Sequence, residues 1–236
     1  MRLQKFISAA GVCSRREAEL RIQDGRVTVN GQTATLGMSV DETSDTICVD
    51  GRVVRPPQEC TYVMLHKPRG YVTTMKDERG RPTVAQLVAN AQVRLYPVGR
   101  LDFDSEGLLI MTNDGETANR LAHPSHGIKK TYHVWVKGEE ISSSAERLRH
   151  PITYQGVQYK GAKVEILTED GDGRGKLAVT IGDGKNREVR NMCAAVNLKV
   201  LRLQRISQGE LRLGNLPCGE WRYLTGKETE YLKKLQ

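Results

Sequence analysis

An apolar run from Leu108 to Met111 restricts the fold of this chain more than any other stretch of its sequence. Gly107 precedes the run, and the turn-forming residues Asn113, Asp114 and Gly115 follow it closely. A short apolar run bounded by turn signals on both sides is consistent with a fully buried strand. The sequence therefore predicts one core strand with a loop at each end.

The loop before this strand is rich in charge and offers several chemical roles. Arg100, Asp102 and Asp104 lie within five residues, and apolar Leu101 and Phe103 flank Asp102. Apolar neighbours and a basic partner predict a carboxylate in a partly dry pocket. From the residues alone, three interpretations stay open: a solvated charged turn, a metal-binding carboxylate pair, or a single catalytic carboxylate at Asp102.

Composition favours a nucleic acid as the partner of this chain. Its 236 residues allow one large domain or two modest ones, and its formal net charge is +8. No stretch approaches the ~18 apolar residues of a membrane-spanning helix, and no signal-peptide pattern opens the chain. Five scattered cysteines without a Cys-x-x-Cys pair predict neither a disulfide framework nor a zinc site, and they indicate a reducing cytoplasm.

Residues 1 to 60 are predicted to form a small unit of their own. Apolar residues at helical spacing predict a first helix from Leu3 to Ala10. A capping box predicts the start of a second helix, which spans residues 14 to 25. The turn pairs Asn30-Gly31 and Asp50-Gly51 lie between alternating apolar residues and predict two hairpins.

The helical part of this unit is basic, which is how a small module binds a phosphate backbone. The alternative is that these arginines only form the solvent-exposed face of a helix and bind no phosphate. The sequences Ser-Arg-Arg-x-Ala and Gly-Arg-Val-x-Val-Asn-Gly, however, resemble the S4-type (αL) RNA-binding domain, although Arg21 departs from its usual apolar residue. The residues expected to contact RNA are Arg2, Lys5, Arg15, Arg16 and Arg26. A stiff linker is predicted at Pro56-Pro57, before a second domain at residues 61–236.

The second domain is predicted to alternate strands with short helices. Its predicted strands are 62–66, 71–74, 108–111, 129–137, 177–181 and 199–206, and its predicted helices are 83–89, 116–122, 185–197 and one that begins at Thr225. The turn at residues 67–70 is predicted to make the first two strands a hairpin. Strands that outnumber helices, joined by hairpins rather than long crossovers, favour an α+β fold.

Several motifs of this domain resemble those of the ribosomal RNA pseudouridine synthases of the RsuA/RluB group. They are Lys67-Pro68-x-Gly70, Gly-Arg-Leu-Asp-x-Asp-Ser-x-Gly-Leu-Leu from Gly99 followed by Thr-Asn-Asp-Gly, Lys130-x-Tyr132, and residues 186–190. Glu188 and Asn191 depart from the usual Gln and Arg of the last motif. The resemblance covers essentially the whole chain, and it implies a catalytic domain with a mixed, largely antiparallel sheet.

The resemblance also implies roles for individual residues. Asp102 would be the catalytic nucleophile or base, Arg190 its paired cation, and Tyr132 the ring that stacks on the target base. Substrate-binding roles are implied for Arg100, Val179, Lys67 and Arg187. Arg100 would fill the space that a flipped uridine leaves, and Val179 would lie under the base. The turn that holds Lys67 is expected to have a structural role that also brings Lys67 or Arg69 near phosphate.

The implied reaction is the isomerisation of a uridine in ribosomal RNA to pseudouridine. Nothing is oxidised and no group is imported, so neither a cofactor nor a metal is expected. The expected partner is ribosomal RNA or a pre-ribosomal particle, and the chain is expected to act as a monomer. Whether Asp102 attacks the sugar carbon or removes a sugar proton stays open.

Residues 186 and 187 favour a uridine of the large ribosomal subunit over one of the small subunit. Two other classes of protein also fit parts of the sequence. A metal-dependent nuclease would use Asp102 and Asp104 together with a divalent ion. A non-catalytic ribosome-assembly factor would use only the basic surfaces.

Overall fold

The computed structural model describes residues 1–56 and 59–235, which form two compact units. The first unit consists of Met1–Thr61 together with Ala91–Arg94 and Asn113–Gly115, and the second holds the rest of the chain. Pro57 of the predicted linker lies outside the described residues. No described helix is long and apolar enough to cross a membrane.

The first unit packs two helices with a four-stranded sheet. Its elements are α1 (Leu3–Ala9), α2 (Arg15–Gln23), β1 (Val27–Val29), β2 (Gln32–Thr33), β3 (Ile47–Val49) and β4 (Arg52–Val54). The strand order is β2-β1-β3-β4, and every pair is antiparallel. Apolar residues of both helices share one core with those of β1 and β3.

The turn and cap residues of this unit adopt most of the conformations that the sequence predicts. Both residues of each hairpin turn have positive φ, with values of 52° and 81° at Asn30 and Gly31 and of 52° and 74° at Asp50 and Gly51. This conformation matches the twist of the flanking strands, so both predicted hairpins are confirmed. Half of the predicted capping box is present: the backbone N–H of Glu17 donates to the side chain of Ser14 over 3.2 Å.

The second unit is built on a nine-stranded sheet. Its strands are β5 (Tyr62–Lys67), β6 (Tyr96–Pro97), β7 (Glu106–Thr112), β8 (Lys130–Lys137), β11 (Lys163–Glu169), β12 (Arg174–Ile181), β13 (Lys199–Gln208), β14 (Leu211–Arg212) and β15 (Trp221–Tyr223). A separate hairpin consists of β9 (Ile152–Tyr154) and β10 (Val157–Tyr159). The helices are α3 (Val84–Leu87), α4 (Gly115–Ala122), a 3-10 turn (Pro124–His126), α5 (Ile141–Leu148), α6 (Glu188–Ala195) and α7 (Gly226–Lys234).

The order of the main strands is β11-β12-β8-β13-β7-β5-β15, with β6 beside β7 and β14 beside β13. All pairs are antiparallel except β7 with β13, so the predicted mixed, largely antiparallel sheet is confirmed. All seven residues of β7 are buried, which confirms the core strand predicted from its apolar run. Leu121 of α4 and Leu232 of α7 share a core cluster with Leu108 and Ile110 of β7.

Gly107 lets the two parallel strands approach each other. Its φ is 111°, and a Cβ atom there would lie 2.3 Å from the carbonyl oxygen of Arg205. No other residue type fits such a contact, because real Cβ atoms do not approach backbone atoms this closely. The glycine that bounds the apolar run therefore sets the spacing of β7 and β13.

Three predictions about elements need correction. Residues 71–74 do not return beside β5, because β7 and β15 occupy its two edges, and Val72 forms only an isolated bridge with Thr83. Helix α6 begins at Glu188 rather than at residue 185, since Arg187 has a left-handed conformation with φ 49°. The third correction is that α5 and the strands β6, β9, β10, β11, β14 and β15 were not predicted from the sequence.

Candidate active site

The charged loop before β7 lines a cavity of about 270 Å³ in the second unit. The other walls come from the start of β8, the end of β12 with the turn after it, the start of α6, and β13. Four predicted site residues line this cavity: Arg100, Asp102, Tyr132 and Arg187. The fold thus brings together residues from distant parts of the chain.

The Asp102 carboxylate is reachable from solvent. About a third of its side chain is exposed, at 32%, and its Oδ2 lies 3.8 Å from Nη1 of Arg187. Leu101 is buried, but Phe103 is 49% exposed and does not line the cavity. The expectation that both apolar neighbours dry the pocket was wrong for Phe103, because the loop turns this side chain outward.

Asp104, rather than Asp102, holds the two arginines of the last motif. Its carboxylate accepts hydrogen bonds of 3.2 Å from both Nη atoms of Arg187. Nη2 of Arg190 lies 2.9 Å from the Asp104 carbonyl oxygen and 3.3 Å from its carboxylate. Burial alone would raise the pKa of Asp104, but the hydrogen bond from Arg187 and the two positive charges lower it below its ordinary value. The expected pairing of Arg190 with Asp102 is therefore corrected to a pairing with Asp104.

The start of α6 presents these arginines to the loop. Arg187 takes the left-handed conformation just before the helix, and Arg190 follows one turn later. The carboxylate of Glu188 accepts a 2.6 Å hydrogen bond from the backbone N–H of Lys185. Burial raises the pKa of Glu188 above its ordinary value. Glu188 therefore fixes the turn that carries Arg187, which gives this departure from the family motif a local structural role.

Lys67 supports the Asp102 loop from inside the protein. Its side chain is fully buried, and Nζ donates to the carbonyl oxygens of Pro68, Asp102 and Ser105 over 3.0, 3.1 and 2.8 Å. Burial lowers the pKa of Lys67 to about 8. The expected position near phosphate is corrected for Lys67, because an ammonium enclosed in this way does not reach a ligand. Arg69, whose side chain is 42% exposed, keeps that expectation.

A second anchor of this loop was not foreseen. The hydroxyl of Thr73 donates to the carbonyl oxygen of Leu101 over 2.6 Å and accepts from the N–H of Leu101 over 3.2 Å. Sequence alone gave no sign of this contact, because the two residues lie 28 positions apart.

Tyr132 lies on the buried face of β8, as the alternation of β8 predicts, and is 8% exposed. Val179 pairs with Tyr132 in the sheet register but is almost fully buried and lies outside the cavity lining. Ile181, two residues further along the same face of β12, lines the cavity instead. The apolar wall of the cavity is therefore Ile181 rather than Val179.

Buried polar residues form a part of the cavity that the sequence analysis did not identify. They are Ser105, Lys130, Glu188, Arg205 and Gln208, and each is at most 9% exposed. Arg205 could have been found from the pattern of β13, where it falls in phase with the buried residues Leu203 and Ser207.

The basic residues of the first unit differ in whether their charge is already paired. Arg26 lies 2.6 Å from the carboxylate of Asp50, and the guanidinium of Arg2 donates to the carbonyl oxygen of Gly37. Arg15 and Arg16 are exposed, and neither forms an ion pair with any residue that the structure describes. Lys5 is half-buried on α1.

No described group of three or more His, Cys, Asp or Glu side chains is placed to hold a metal ion. The spacing of His123 and His126 would suit two metal ligands, but the sequence offers no cysteine to complete such a site. Nδ1 of His123 instead lies 2.8 Å from the hydroxyl of Ser125 and accepts a hydrogen bond from the N–H of that serine.

Two family models match this chain. Residues 61–195 match the model described as RNA pseudouridylate synthase, and residues 1–47 match the model of the S4 domain. The first match covers more than half of the chain and includes the Asp102 loop, Tyr132 and both arginines of α6.

Several relatives match this chain along almost its whole length. The ribosomal large subunit pseudouridine synthase B of Bacillus subtilis (strain 168) is 41% identical over 236 residues, which cover 99% of this chain and 96% of that protein. An RNA pseudouridine synthase of Aquifex aeolicus (strain VF5) is 39% identical, with 99% and 94% covered. A crystal structure of a pseudouridylate synthase aligns with a TM-score of 0.69 at 32% identity and covers 98% of this chain and 99% of that one.

Proposed function

This chain belongs to the RNA pseudouridylate synthase family and carries an S4 domain, and from that membership we propose that it modifies a uridine of large-subunit ribosomal RNA, with Asp102 as its catalytic carboxylate. The isomerisation of uridine in RNA to pseudouridine follows from the family itself. The large-subunit target is supported by two relatives named ribosomal large subunit pseudouridine synthase B, which are 41% and 37% identical to this chain.

The availability of the Asp102 carboxylate is the observation that carries its assignment. Three acidic residues line the cavity: Asp102, Asp183 and Glu188. Asp183 accepts a hydrogen bond from Lys160, and Glu188 accepts one from the N–H of Lys185. In the part of the chain that the structure describes, the Asp102 carboxylate accepts no hydrogen bond, and its ion-pair partner Arg187 lies 3.8 Å away. A carboxylate that is exposed to the cavity and not committed elsewhere can act as nucleophile or base.

The other cavity residues supply binding and orientation in this proposal. A uridine inside folded RNA must leave its base stack at a cost of roughly a few kcal/mol. Stacking of the uracil on Tyr132 offsets part of this cost, and Arg100 at the exposed rim fills the space that the base vacates. Asp102 then faces the sugar, where it either bonds to the carbon of the glycosidic bond or takes the neighbouring proton.

Residues 1–60 form the second part of the proposal, as a module that binds RNA through phosphates. Arg15 and Arg16 at the start of α2 supply unpaired positive charge, and Arg26 and Arg2 supply charge that is partly engaged within the unit. Chemistry is assigned to residues 61–236, because every residue that lines the cavity lies there.

We expect Asp102→Asn to abolish catalysis and to leave RNA binding intact, because it keeps the shape of the side chain and removes its charge. Single-turnover assays on a ribosomal RNA fragment should show a rate lower by roughly 10³ or more, with a dissociation constant within about threefold of wild type. Asp104→Asn is the matched control, and it should slow the reaction only about tenfold, since its carboxylate positions arginines.

Two results would contradict this proposal. Full activity of Asp102→Asn would remove Asp102 from the reaction. Inhibition by a chelator that a divalent ion reverses would favour the metal-dependent alternative. The target is tested separately, by mapping pseudouridine in ribosomal RNA from a strain that lacks the gene. A site lost from the small subunit rather than the large one would refute the proposed target.

A further inference from the structure

Arg205 is a buried cation at the cavity that the reaction described above does not use. It is 2% exposed and lines the cavity, and no carboxylate lies within ion-pairing distance of it among the described residues. Its Nε donates to the carbonyl oxygen of Leu108 over 2.7 Å, which fixes the plane of the guanidinium. Its Nη2 is buried and has no hydrogen-bond partner among the described residues.

Burying a guanidinium without a counter-charge costs several kcal/mol, so such a residue needs a compensating role. The usual solution is a buried carboxylate, which the described residues do not supply at Arg205. Lys130 is a second buried cation at the same cavity, and burial and the nearby charge of Arg205 lower its pKa. The Oγ of Ser105 and Oε1 of Gln208, which also line the cavity, are likewise buried without partners. Arg205, Lys130, Ser105 and Gln208 therefore form a positive, incompletely satisfied floor of the cavity, and the negative charges of Glu188 and Asp183 lie towards Lys130.

The sheet register places this floor beside the proposed stacking residue. Arg205 of β13 is directly opposite Tyr132 of β8, and Gln208 is opposite Lys130. Side chains that are paired in this way lie on the same face of a sheet with their Cβ atoms about 5 Å apart. A base that stacks on Tyr132 thus has the guanidinium of Arg205 as a neighbour at its edge.

We propose that Arg205 is a further catalytic residue, whose free Nη2 donates to a carbonyl oxygen of the uracil and stabilises the negative charge that the ring carries once its bond to the sugar breaks. This inference rests on the proposed function of the cavity. The ligand of the positive floor is therefore the departing uracil ring rather than an RNA phosphate.

The movement of electrons and protons in the reaction shows why a hydrogen-bond donor is needed beside the uracil ring. When the bond between the sugar carbon C1′ and N1 of uracil breaks, both electrons leave with the ring, and the charge spreads over N1, O2 and O4. The sugar compensates by bonding to the Asp102 carboxylate or by giving a proton to it. After the ring turns, C5 forms the new bond to C1′ while the bond from C1′ to Asp102 breaks or, on the other route, the sugar takes its proton back. C5 then loses its proton, while N1 gains one.

A donor at this position acts more strongly in the transition state than on the bound substrate. Before the bond breaks, Nη2 meets a neutral carbonyl oxygen, and afterwards it meets an oxygen that carries part of a full charge. Because the floor is buried, the attraction is weakly screened by water. Such differential stabilisation raises kcat and leaves the affinity for RNA almost unchanged.

The first test compares Arg205→Met and Arg205→Lys with a matched arginine outside the cavity. Arg149 is suitable, because its Nε and Nη2 also donate to a main-chain carbonyl, that of Val164. We expect the single-turnover rate of Arg205→Met to fall by roughly 10² to 10³, as when one oxyanion donor is removed, with RNA affinity within about threefold. Arg205→Lys should keep more of the rate than Arg205→Met, and Arg149→Met should keep nearly all of it.

The second test separates charge stabilisation from a merely structural role. Fluorine at C5 withdraws electrons from the uracil ring and makes it a better leaving group. On an RNA with 5-fluorouridine at the target position, loss of the target nucleotide in a single turnover reports bond cleavage. The defect of Arg205→Met relative to wild type should shrink at least about tenfold on this substrate. A structural role predicts the same defect on both substrates.

The outcomes distinguish the two proposals. If wild type is active and Asp102→Asn is not, the proposed function stands. An equal defect of Arg205→Met on both substrates, or a rate like that of wild type, then overturns only the role of Arg205. A loss confined to RNA affinity would also overturn it, since this is the result expected for a phosphate contact. If Asp102→Asn keeps full activity, the proposed function itself fails.

Discussion

The position of Asp102 depends on residues that never face the substrate. Nζ of Lys67 binds the carbonyl oxygens of Asp102 and Ser105, and the hydroxyl of Thr73 binds both backbone groups of Leu101. These bonds hold the backbone on either side of the proposed catalytic carboxylate. A buried lysine with three carbonyl acceptors is therefore a positioning residue for the reaction.

Lys67→Met should test this positioning role. It leaves buried carbonyl oxygens without a donor, so we expect the free energy of unfolding to fall by about 2 to 3 kcal/mol. The single-turnover rate should fall by roughly tenfold or more, since the loop is no longer fixed. Denaturant titration and rate measurements check both effects. Lys137→Met, at the exposed end of β8, is the control and should change neither quantity.

Four residues of the cavity were predicted from the sequence, but their partners were not. Arg100, Asp102, Tyr132 and Arg187 were identified through the resemblance of their motifs to a known family, and all four line the cavity. The pairing of Arg190 with Asp104 was missed, because the two acidic residues of the loop are equivalent in sequence. Only the turn of the backbone decides which carboxylate faces α6.

At the scale of elements, Gly107 determines whether β7 and β13 can pair. Gly107→Ala places a Cβ atom 2.3 Å from the carbonyl oxygen of Arg205 at a φ of 111°. We expect it to lower the free energy of unfolding by more than about 3 kcal/mol. Gly70→Ala is the control, because φ there is also positive, at 81°, but the space around its Cβ is open. It should cost only about 1 to 2 kcal/mol. Thermal and denaturant unfolding measure both losses. If the close approach of β7 to β13 were unimportant, Gly107→Ala and Gly70→Ala would lose the same free energy of unfolding.

The start of α7 offers a prediction about pH. The guanidinium of Arg222 binds both carboxylate oxygens of Glu228 over 2.7 and 2.8 Å, and this hydrogen bonding lowers the pKa of Glu228 to about 2. Because the folded pKa lies below the unfolded value, the stabilisation is present above about pH 4.5 and is lost as the pH falls towards 2.

Glu228→Gln should therefore destabilise the protein by about 1 kcal/mol at pH 7, a value that allows for solvent screening of a partly exposed pair. The glutamine keeps an oxygen that can accept from the N–H of Thr225, so the helix cap is preserved. Denaturant titrations of both proteins should converge as the pH is lowered below 4.5. A constant difference down to pH 3 would exclude the ion pair as its source.

The prediction of elements from sequence succeeded where the signals were local. Turn pairs with positive φ, the capping box at Thr225 and the alternation of β8 are present as predicted. The predicted hairpin after β5 failed, because its edges pair with β7 and β15, which lie far away in sequence. Strand partners at such separations leave no trace in a local pattern.

At the scale of the whole molecule, the net charge is +8. The basic residues that contribute to it differ in whether an acidic side chain already pairs with them. Arg15 and Arg16 lack described ion-pair partners, whereas Arg26 is paired with Asp50. If the first unit binds phosphates, the double change Arg15→Gln and Arg16→Gln should reduce the slope of log K against log salt by about 1 to 2. Arg26→Gln should reduce it less. RNA affinity measured over a range of salt concentrations checks this, and equal slopes for all variants would place the phosphate contacts elsewhere.

The parallel pairing of β7 with β13 also affects how the protein is made. The last residue of β13 is synthesised 96 residues after the last residue of β7. At roughly 5 to 20 residues per second, a largely apolar strand with one open edge waits about 5 to 20 seconds on the ribosome for its partner. Open edges of this kind recruit other strands and promote aggregation. A slower rate of translation between residues 112 and 208 should therefore increase the insoluble fraction of newly made chains, even though the finished protein is unchanged.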